Sequence, residues 1–285
     1  MKTRHLISGK NGQLAKAFIR MLSERSADYL APEKFEFDVT DTDRVMEICD
    51  SYRPNVIINC AAYNLVDRAE EEPDSAFNVN NFGPKLLAQA SRRYGAVIVH
   101  FSSDYVFDGE KQDGLYEECD TPNPINQYGS SKLRGEESVQ EETDDFLILR
   151  LSWVFGEGNQ SFLHKLLGWS QNNEYLRISC DEFSVPTYTY TVADITLKAL
   201  EQRLTGLYHL TNSGYCSRYE WANLILKQLG IMKFLRPAAM ESFNLPARRP
   251  EFSAMSNEKI SKELNAKIPA WEEAVESCLE EFHHE

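Results

Sequence analysis

The sequence HLISGKNGQLA at residues 5–15 decides the fold expected of this chain. It begins as a short apolar run, like a buried strand, and ends in the first turn of a helix pattern. Gly9 permits a tight turn between them, and Gly12 leaves room for a ligand at the positive end of the helix. Ala15 is small enough for the helix to pack closely on the strand. The arrangement is typical of a loop that binds a pyrophosphate, although an ordinary strand-to-helix turn would show the same pattern.

Strand and helix patterns alternate outward from this stretch. Apolar runs typical of buried parallel strands occupy residues 56–60, 96–101, 146–150 and 207–210. Helix patterns lie near residues 12–24, 41–52, 75–94, 127–142, 188–203, 217–229 and 269–282. The alternation predicts an α/β fold, a Rossmann-like doubly wound parallel sheet with a smaller, partly discontinuous α/β domain.

Two domains are expected from this organisation. Residues 1–155 and about 181–210 would form the dinucleotide-binding domain, and about 156–180 and 211–285 the substrate domain. Polar residues or glycine follow the predicted strands, which is where open α/β sheets bind ligands.

Charge and composition exclude two classes of partner. The chain has 285 residues and a formal net charge of -14, which repels nucleic acid and anionic membrane surfaces. Any phosphate group must therefore be held by local features. The six cysteines are scattered without a C-x-x-C pair, and the N-terminal apolar run is too short for a signal peptide or a membrane span. These features predict a cytoplasmic protein.

The end of the second strand bears on the choice between NAD and NADP, because an acidic residue there binds the ribose of NAD. Residues 29–34 hold no Asp or Glu at the apparent strand end. Lys34 suits a 2′-phosphate, which favours NADPH with NADH as the alternative, although both Glu33 and Lys34 equally suit a solvated surface. Asp38 and Val39 are expected beside the adenine.

A tyrosine and a lysine at i and i+4, Tyr128 and Lys132, lie on one face of a predicted helix. A free tyrosine titrates near 10, and a lysine ammonium one turn away is expected to lower that pKa toward the working range. Upstream, Ser102 and Ser103 end a buried strand, where a hydroxyl can hydrogen-bond a substrate oxygen. Tyr-x-x-x-Lys pairs occur by chance, but the combination with a strand-end serine is far more specific.

These residues and the glycine loop resemble the extended short-chain dehydrogenase/reductase superfamily. Further segments resemble one family within it, the dTDP-4-dehydrorhamnose reductases. They are GQL at 12–14, NCAAY at 59–63, VDRAE at 66–70, SDYVFDG at 103–109, YG at 128–129, KL at 132–133, GE at 135–136, RLSWVFG at 150–156, VPT at 185–187 and RPEFS at 249–253. The resemblance spans residues 4 to 280. It departs at Ala15 for a third glycine, at Ser103 for the usual threonine and at residues 254–255, and none of these changes removes a catalytic group.

The resemblance implies a reaction and a set of site residues. NAD(P)H would deliver hydride to C4 of dTDP-4-dehydro-β-L-rhamnose, with Tyr128 as proton donor, Lys132 holding the ribose and tuning Tyr128, and Ser103 completing the hydrogen bonds to the oxyanion. The expected cofactor contacts are Gly9, Asn11, Gly12, Gln13, Leu14, Asp38, Val39, Ala61, Ala62, Tyr63, Ser102, Tyr128 and Lys132. The expected substrate contacts are Ser103, Asp104, Trp153 and Arg249.

Several of these residues have a second interpretation. Trp153 also suits a core aromatic, Asp104 a turn cap, and Arg249 a structural ion pair rather than a diphosphate contact. The acidic stretch that begins at Asp67 more often marks a solvated helix than a metal site, and no metal ligand is assigned. The resemblance also implies a homodimer held through acidic residues and Mg²⁺ as an alternative that the sequence does not show. His100 is expected to be a core histidine.

Three rival functions share the fold. A nucleotide-sugar dehydratase or epimerase would share the fold and the Tyr–Lys pair. The dehydratase is disfavoured, because dehydratases need an Asp-Glu pair where this chain has Asp104-Tyr105. A non-catalytic NADP-binding protein, like the regulatory beta subunit of methionine adenosyltransferase, would not need the intact Ser103, Tyr128 and Lys132. A reductase of another nucleotide-linked 4-keto sugar stays open, since selectivity lies in loops of the smaller domain.

Overall fold

The computed structural model describes residues 2–158 and 160–282. Residues 1, 159 and 283–285, which the predicted domains include, lie outside the described residues. The strands are β1 (Arg4–Ser8), β2 (Asp28–Leu30), β3 (Val56–Asn59), β4 (Val97–Ser103), β5 (Phe146–Leu151), β6 (Val154–Phe155), β7 (Tyr175–Ser179), β8 (Phe183–Ser184), β9 (Thr187–Tyr188), β10 (Gly206–His209), β11 (Cys216–Ser217) and β12 (Phe234–Ala238). The α-helices are α1 (Gln13–Glu24), α2 (Thr42–Tyr52), α3 (Val66–Glu71), α4 (Pro73–Phe77), α5 (Gly83–Tyr94), α6 (Gln127–Glu142), α7 (Phe162–Asn172), α8 (Thr189–Glu201), α9 (Arg218–Gln228), α10 (Glu258–Leu264) and α11 (Trp271–Phe282).

Six parallel strands form the central sheet, in the order β10–β5–β4–β3–β1–β2. β1 pairs with β3 so that Ser8 lies opposite Asn59, and β4 pairs with β5 so that Ser103 lies opposite Leu151. The direction of winding reverses between β1 and β3, which is where open α/β sheets bind their ligands. The sheet confirms the predicted Rossmann-like doubly wound fold.

Helices cover both faces of this sheet. α1 and α8 pack on one face, where Phe18, Leu149 and Val192 share one hydrophobic cluster. α2, α5 and α6 pack on the other face, around Cys49 and Leu87. Strands covered on both sides need apolar residues at nearly every position, which explains the continuous apolar runs in the sequence. Within the described ranges, no helix has the length and apolar character needed to cross a membrane.

A separate hydrophobic cluster, apart from those on the two faces of the sheet, forms beyond the end of β5. It is built on the strand pairs β6–β9, β7–β12 and β8–β11. Trp221 of α9 is fully buried there, against Trp153 and Phe155. α10 departs from the predicted division of the chain, because its Ile260 and Leu264 pack in the cluster of the central sheet. The other domain limits stay a prediction.

An ion pair between Arg150 of β5 and Glu136 of α6 is buried under the sheet. The guanidinium donates from Nε at 2.9 Å and from a terminal nitrogen at 2.7 Å, one bond to each carboxylate oxygen. The two side chains are only 4% and 1% exposed. His209 of β10 lies beside them, and burial lowers its pKa to about 3, so this imidazole is neutral. His209 therefore adds no charge to the pair, which fixes α6 against the sheet.

Glu136→Gln should lower the free energy of unfolding by about 3–5 kcal/mol, because it leaves the Arg150 guanidinium buried without its counter-charge. Glu137→Gln is the matched control on the same helix. Glu137 pairs with Arg134 at the surface, where its side chain is 40% exposed, so we expect a loss within about 0.5 kcal/mol. Denaturant unfolding of both variants measures the difference, and equal losses would show that the buried pair does not hold α6.

Candidate active site

The glycine loop between β1 and α1 has the geometry that the sequence predicted. Gly9 has φ of 68°, and a Cβ there would lie 2.8 Å from the Ala61 nitrogen, so only glycine fits. The Gly12 N–H donates to the Gly9 carbonyl at 2.8 Å. No side chain caps α1 at Gly12. The first N–H groups of the helix, including those of Gln13 and Leu14, are therefore oriented as an anion site.

Glu33, to which the sequence analysis assigned no binding role, faces this loop. Glu33, which follows β2 closely, accepts hydrogen bonds from Asn11 Nδ2 at 2.9 Å and from Lys10 Nζ at 2.8 Å. The hydrogen bond from Lys10 lowers the pKa of this carboxyl. Lys34 is exposed beside it. The spacing of Glu33 from the glycines is the usual one, but Glu33 lies three residues beyond the end of β2 at Leu30 rather than directly at the strand end.

The segment after β3 is tied to α6 by a buried asparagine. Asn80 lies in a π-helical turn, Asn78–Phe82, between α4 and α5. Its side chain accepts from the Tyr63 N–H at 2.8 Å and donates to Ser131 Oγ of α6 at 3.0 Å. Asn80 therefore holds the turn of Ala61, Ala62 and Tyr63 against the helix that carries Tyr128. The one feature of the sequence that could have predicted this role of Asn80 is a polar residue on the apolar side of the helix expected near residues 75–94.

The other predicted cofactor contacts lie along the same edge. The Ala61 N–H donates to Ser8 Oγ at 3.1 Å. The carboxylate of Asp38 accepts from the Thr40 hydroxyl at 2.8 Å, and Val39 is buried. Ser102 Oγ is buried and has no hydrogen-bond partner among the described residues. An unpaired buried hydroxyl at a ligand-binding edge is consistent with a ligand that has polar groups, as a dinucleotide has.

Tyr128 stands at the start of α6, close to the end of β4. The Asn126 side chain caps the helix by accepting the Gly129 N–H at 2.7 Å. A Cβ at Gly129 would lie 2.1 Å from the Tyr105 carbonyl oxygen, so glycine lets the helix touch the turn after β4. The Tyr128 ring meets the Tyr105 ring edge-on at 5.8 Å, and its hydroxyl lies 3.5 Å from Asn64 Oδ1.

The pKa values of Tyr128 and Lys132 are shifted mainly by burial. Burial raises the pKa of Tyr128 to about 12, and a hydrogen bond with the Ser103 hydroxyl acts in the opposite direction. Burial lowers the pKa of Lys132 to about 8. The Lys132 ammonium donates to the Phe101 carbonyl of β4. Desolvation of the phenol is therefore the largest influence on the Tyr128 pKa in this structure, and the lowering expected from Lys132 stays a prediction.

A cavity of about 590 Å³ adjoins Tyr128 through Asn64 and Tyr105. Its wall carries the cations Arg68, Lys165, Arg177, Arg218 and Arg249 and the aromatic side chains Tyr105, Trp153, Phe162, Trp169, Trp221 and Phe243. The wall also carries the carboxylates Asp67 and Glu182, so the cations outnumber the carboxylates five to two. In a chain with a net charge of -14, this local excess of positive charge suits an anionic ligand. Aromatic faces beside the cations suit a planar base or the apolar face of a sugar.

Trp153 packs as a core aromatic and also borders the cavity, and its contact with a substrate stays a prediction. The side chain lines the cavity, and it also stacks on Trp221 with 5.8 Å between ring centroids. The Arg218 guanidinium lies 3.6 Å from its ring centroid. The Trp153 backbone has φ of 39°, a left-handed conformation that costs a non-glycine residue free energy and is enriched at functional sites.

Arg249 forms an ion pair with α3. Its guanidinium donates to both carboxylate oxygens of Asp67, at 2.8 and 2.7 Å. This contact favours the structural interpretation of Arg249, since the pair joins the segment after β12 to the large domain. Glu70 of the same acidic stretch accepts the Gln127 N–H at 2.8 Å and thereby caps α6. In the part of the chain that the structure describes, no group of three or more His, Cys, Asp or Glu side chains is placed to hold a metal ion.

Asp104 and His100 are both buried. The Asp104 carboxylate is surrounded by serine hydroxyls, including that of Ser103 at 3.1 Å, and the cavity wall is formed by the next residue, Tyr105. His100 Nδ1 lies 3.1 Å from Asn59 Nδ2, and burial holds the pKa of the imidazole well below its usual value. The prediction of a core histidine agrees with this, although Nε2 has no hydrogen-bond partner among the described residues.

Comparison with known proteins identifies the family. The family model of the RmlD substrate binding domain matches residues 3–284. The spore coat polysaccharide biosynthesis protein SpsK of Bacillus subtilis is 34% identical over 98% of this chain and 98% of its own. The dTDP-4-dehydrorhamnose reductase of Aggregatibacter actinomycetemcomitans is 35% identical, over 96% of this chain and 97% of the length of that enzyme. The crystal structure of the Bacillus anthracis dTDP-4-dehydrorhamnose reductase in complex with NADP superposes with a TM-score of 0.95 at 34% identity, over 99% of this chain and all of that one. The chain therefore belongs to the RmlD substrate binding domain family of dTDP-4-dehydrorhamnose reductases and their relatives, as its motifs predicted.

Proposed function

We propose that this protein is an NADPH-dependent reductase that converts the C4 keto group of dTDP-4-dehydro-β-L-rhamnose to the alcohol of dTDP-L-rhamnose. The observation that carries the proposal is the position of Tyr128 and Ser103. Tyr128 contacts Asn64 and Tyr105 of the wall of a cavity lined by cations and aromatic rings. Ser103 ends a strand of the parallel sheet whose first strand leads into the glycine loop. The relatives named dTDP-4-dehydrorhamnose reductase, similar over nearly the whole chain, support the same reaction.

The residues at the strand ends fit a nicotinamide dinucleotide, which supplies the hydride when bound. The pyrophosphate would lie on the N–H groups at the start of α1, and the ribose and nicotinamide near Ser102 and Lys132. The proposed contacts are Gly9, Asn11, Gly12, Gln13, Leu14, Asp38, Val39, Ala61, Ala62, Tyr63, Ser102, Tyr128 and Lys132. NADPH is favoured because Lys10 and Lys34 lie beside Glu33 and the relative from Bacillus anthracis binds NADP. Glu33 would accept a ribose hydroxyl, so NADH is the second cofactor.

Tyr128 and Ser103 perform the proton chemistry. With a pKa of about 12, the Tyr128 phenol is protonated at neutral pH and is ready to donate. As C4 gains a hydride, the carbonyl oxygen gains the Tyr128 proton, and the resulting phenolate recovers a proton from solvent. The Ser103 hydroxyl hydrogen-bonds the same oxygen while negative charge develops on it. Lys132 holds the ribose and places a positive charge near the phenolate.

The cavity would bind the nucleotide part of the substrate. Lys165 and Arg177 are the cations best placed for the diphosphate, because Arg249 is paired with Asp67 and Arg218 with Glu182. Trp169 and Phe243 offer aromatic faces for the thymine, and Trp153 lies where the sugar would contact it. Arg249 acts by fixing the cavity wall rather than by holding phosphate.

A second candidate is the reduction of another nucleotide-linked 4-keto sugar. The similarity to SpsK, a protein of spore coat polysaccharide biosynthesis, favours it, because that relative is as similar to this chain as the reductases are. Cytoplasmic location, a homodimer and Mg²⁺ dependence stay predictions.

Tyr128→Phe should lower kcat with dTDP-4-dehydrorhamnose by about 10²- to 10⁴-fold, because the ring is retained and only the proton donor is lost. The loss of NADPH absorbance measures the rate, and NADH measured in parallel shows the cofactor preference. Tyr175→Phe is the control, since that ring is 56% exposed and remote from the sheet edge. A Tyr128→Phe protein as active as the wild type would exclude Tyr128 as the donor. A wild type inactive with this sugar but active with another 4-keto sugar would select the second candidate.

The rate of reduction should fall as the pH rises through about 8, because Lys132 is protonated only below its lowered pKa of about 8. Tyr128, with a pKa of about 12, stays protonated below that pH, so its ionisation does not lower the rate in this range. A kcat profile between about pH 6 and pH 10 measures the effect. A flat profile across that range would show that the charge of Lys132 is not needed.

Lys165→Met should raise the KM for the dTDP-sugar about tenfold and leave kcat within about twofold, because a diphosphate contact remote from C4 acts equally on ground and transition states. Lys227→Met, an exposed lysine of α9 outside this cavity, is the matched control. Calorimetric titration with dTDP tests the same contact without turnover. An unchanged dTDP affinity in Lys165→Met would remove this residue from the diphosphate site.

A further inference from the structure

The carboxylate of Asp104 lies at the centre of four serine hydroxyls. Oδ1 accepts from Ser103 at 3.1 Å. Oδ2 accepts from Ser152 at 3.1 Å, Ser184 at 2.9 Å and Ser253 at 2.6 Å. Asp104 is 3% exposed, and no cation pairs with it among the described residues. We call these four serines and Asp104 the serine cage.

The serine cage joins the central sheet to the strand β8 beyond the end of β5. Ser103 ends β4, and Ser152 directly follows β5 of the central sheet. Ser184 ends β8, and Ser253 hydrogen-bonds that strand by donating its N–H to the Phe183 carbonyl at 2.9 Å. The carboxylate thus joins the strand end that carries a catalytic hydroxyl to the segments that build the cavity.

The two oxygens of Asp104 are not equivalent. Three hydroxyls lie within hydrogen-bond distance of Oδ2, and their oxygens also contact one another, at 2.5 Å between Ser152 and Ser184 and at 3.0 Å between Ser253 and Ser184. Among the described residues, Ser103 alone donates from a side chain to Oδ1. A buried carboxylate is costly unless hydrogen-bonded, so the three remaining donors allow Ser103 to redirect its proton while the charge stays compensated. Burial raises the pKa of the Asp104 carboxyl, and the serine hydroxyls act against that shift.

The Ser103 oxygen is held from a second side. It accepts the Tyr105 N–H at 3.1 Å, and it also contacts Tyr128. Its position is therefore fixed by the backbone, while the direction of its proton is set by Asp104.

We propose that Asp104 is a positioning residue for the reduction. It orients the Ser103 hydroxyl proton and allows Ser103 to donate that proton to the substrate, and Ser184 and Ser253 set how strongly Asp104 accepts the hydrogen bond from Ser103. This inference rests on the proposed function, because the released proton serves the keto oxygen. Loss of a donor at Oδ2 leaves Asp104 more dependent on Ser103, so Ser103 donates less readily to the substrate. Ser253, which lies away from the reacting atoms, then affects the rate through Ser103.

Ser253→Ala tests the proposal by removing one hydroxyl without removing the buried charge. We expect kcat to fall about tenfold, with the KM for the sugar and the Kd for NADPH within about threefold of wild type. Ser91→Ala is the matched control: Ser91 is also fully buried, but its hydroxyl donates to the Ala88 carbonyl of its own helix. Its kcat should equal that of the wild type.

A double-mutant cycle separates a positioning role from a structural one. If Ser253 acts through Ser103, Ser253→Ala should cost no further activity in a Ser103→Ala protein. An equal tenfold loss in both backgrounds would overturn the proposal, as would wild-type kcat in Ser253→Ala.

The same cycle measured by denaturant unfolding keeps the inference testable if the wild type does not reduce the sugar, which would refute the proposed function. Because both hydroxyls serve one carboxylate, the two substitutions should be non-additive in the free energy of unfolding. Additive losses would show that Ser103 and Ser253 are independent and would overturn the serine cage as a coupled unit.

Discussion

The ion pair of Arg150 and Glu136 fixes the distance between the central sheet and the helix that carries Tyr128 and Lys132. Everything proposed for the site depends on that distance. Ser103 is part of the sheet, Tyr128 is part of the helix, and a carbonyl oxygen can reach both only if the two elements stay in register. A charged contact in a dry interior is directional and intolerant of displacement, so it sets this register more sharply than apolar packing alone. The close approach of Gly129 to the Tyr105 carbonyl brings the start of α6 against the turn that follows β4.

The electrostatics of the molecule are divided in space. The surface is acidic, with a net charge of -14, while the cavity wall gathers five cations. Three of those cations are paired with nearby carboxylates, namely Arg68 with Glu72, Arg218 with Glu182 and Arg249 with Asp67. The pairs hold the wall in shape, and Lys165 and Arg177 keep their charge for a ligand. We therefore expect an anionic substrate to be attracted to the cavity rather than to the acidic surface, which would add selectivity to binding.

Much of the fold could be predicted from the sequence, because parallel strands covered on both faces leave continuous apolar runs. The strands at 56–60 and 146–150 and the helix at 127–142 were predicted almost to the residue. Ser103, Tyr128 and Lys132 could be grouped because carboxyl ends of parallel strands share an edge. Asn80 and the serine cage could not, since they depend on partners far apart in sequence, as with Asp104 and Ser253, 149 residues apart. Glu33 could not be assigned because it lies beyond the end of β2, and its contacts with Lys10 and Asn11 depend on how the loop folds back. The rise in the Tyr128 pKa depends on burial that a local motif does not reveal.

The return of the chain to the central sheet has a consequence for how the molecule can be divided. β10, which pairs with β5, follows β6 to β9 in the sequence. α10, which packs on the central sheet, likewise follows β11 and β12, which belong to the cluster beyond β5. No continuous stretch of the chain therefore contains the residues of the cluster beyond β5 without also containing residues that pack on the central sheet. A fragment that stops before residue 206 would expose the edge of β5, a template for association between molecules. Limited proteolysis in a surface loop would thus yield nicked molecules that stay assembled, and expression of the halves separately would give insoluble material rather than two working domains.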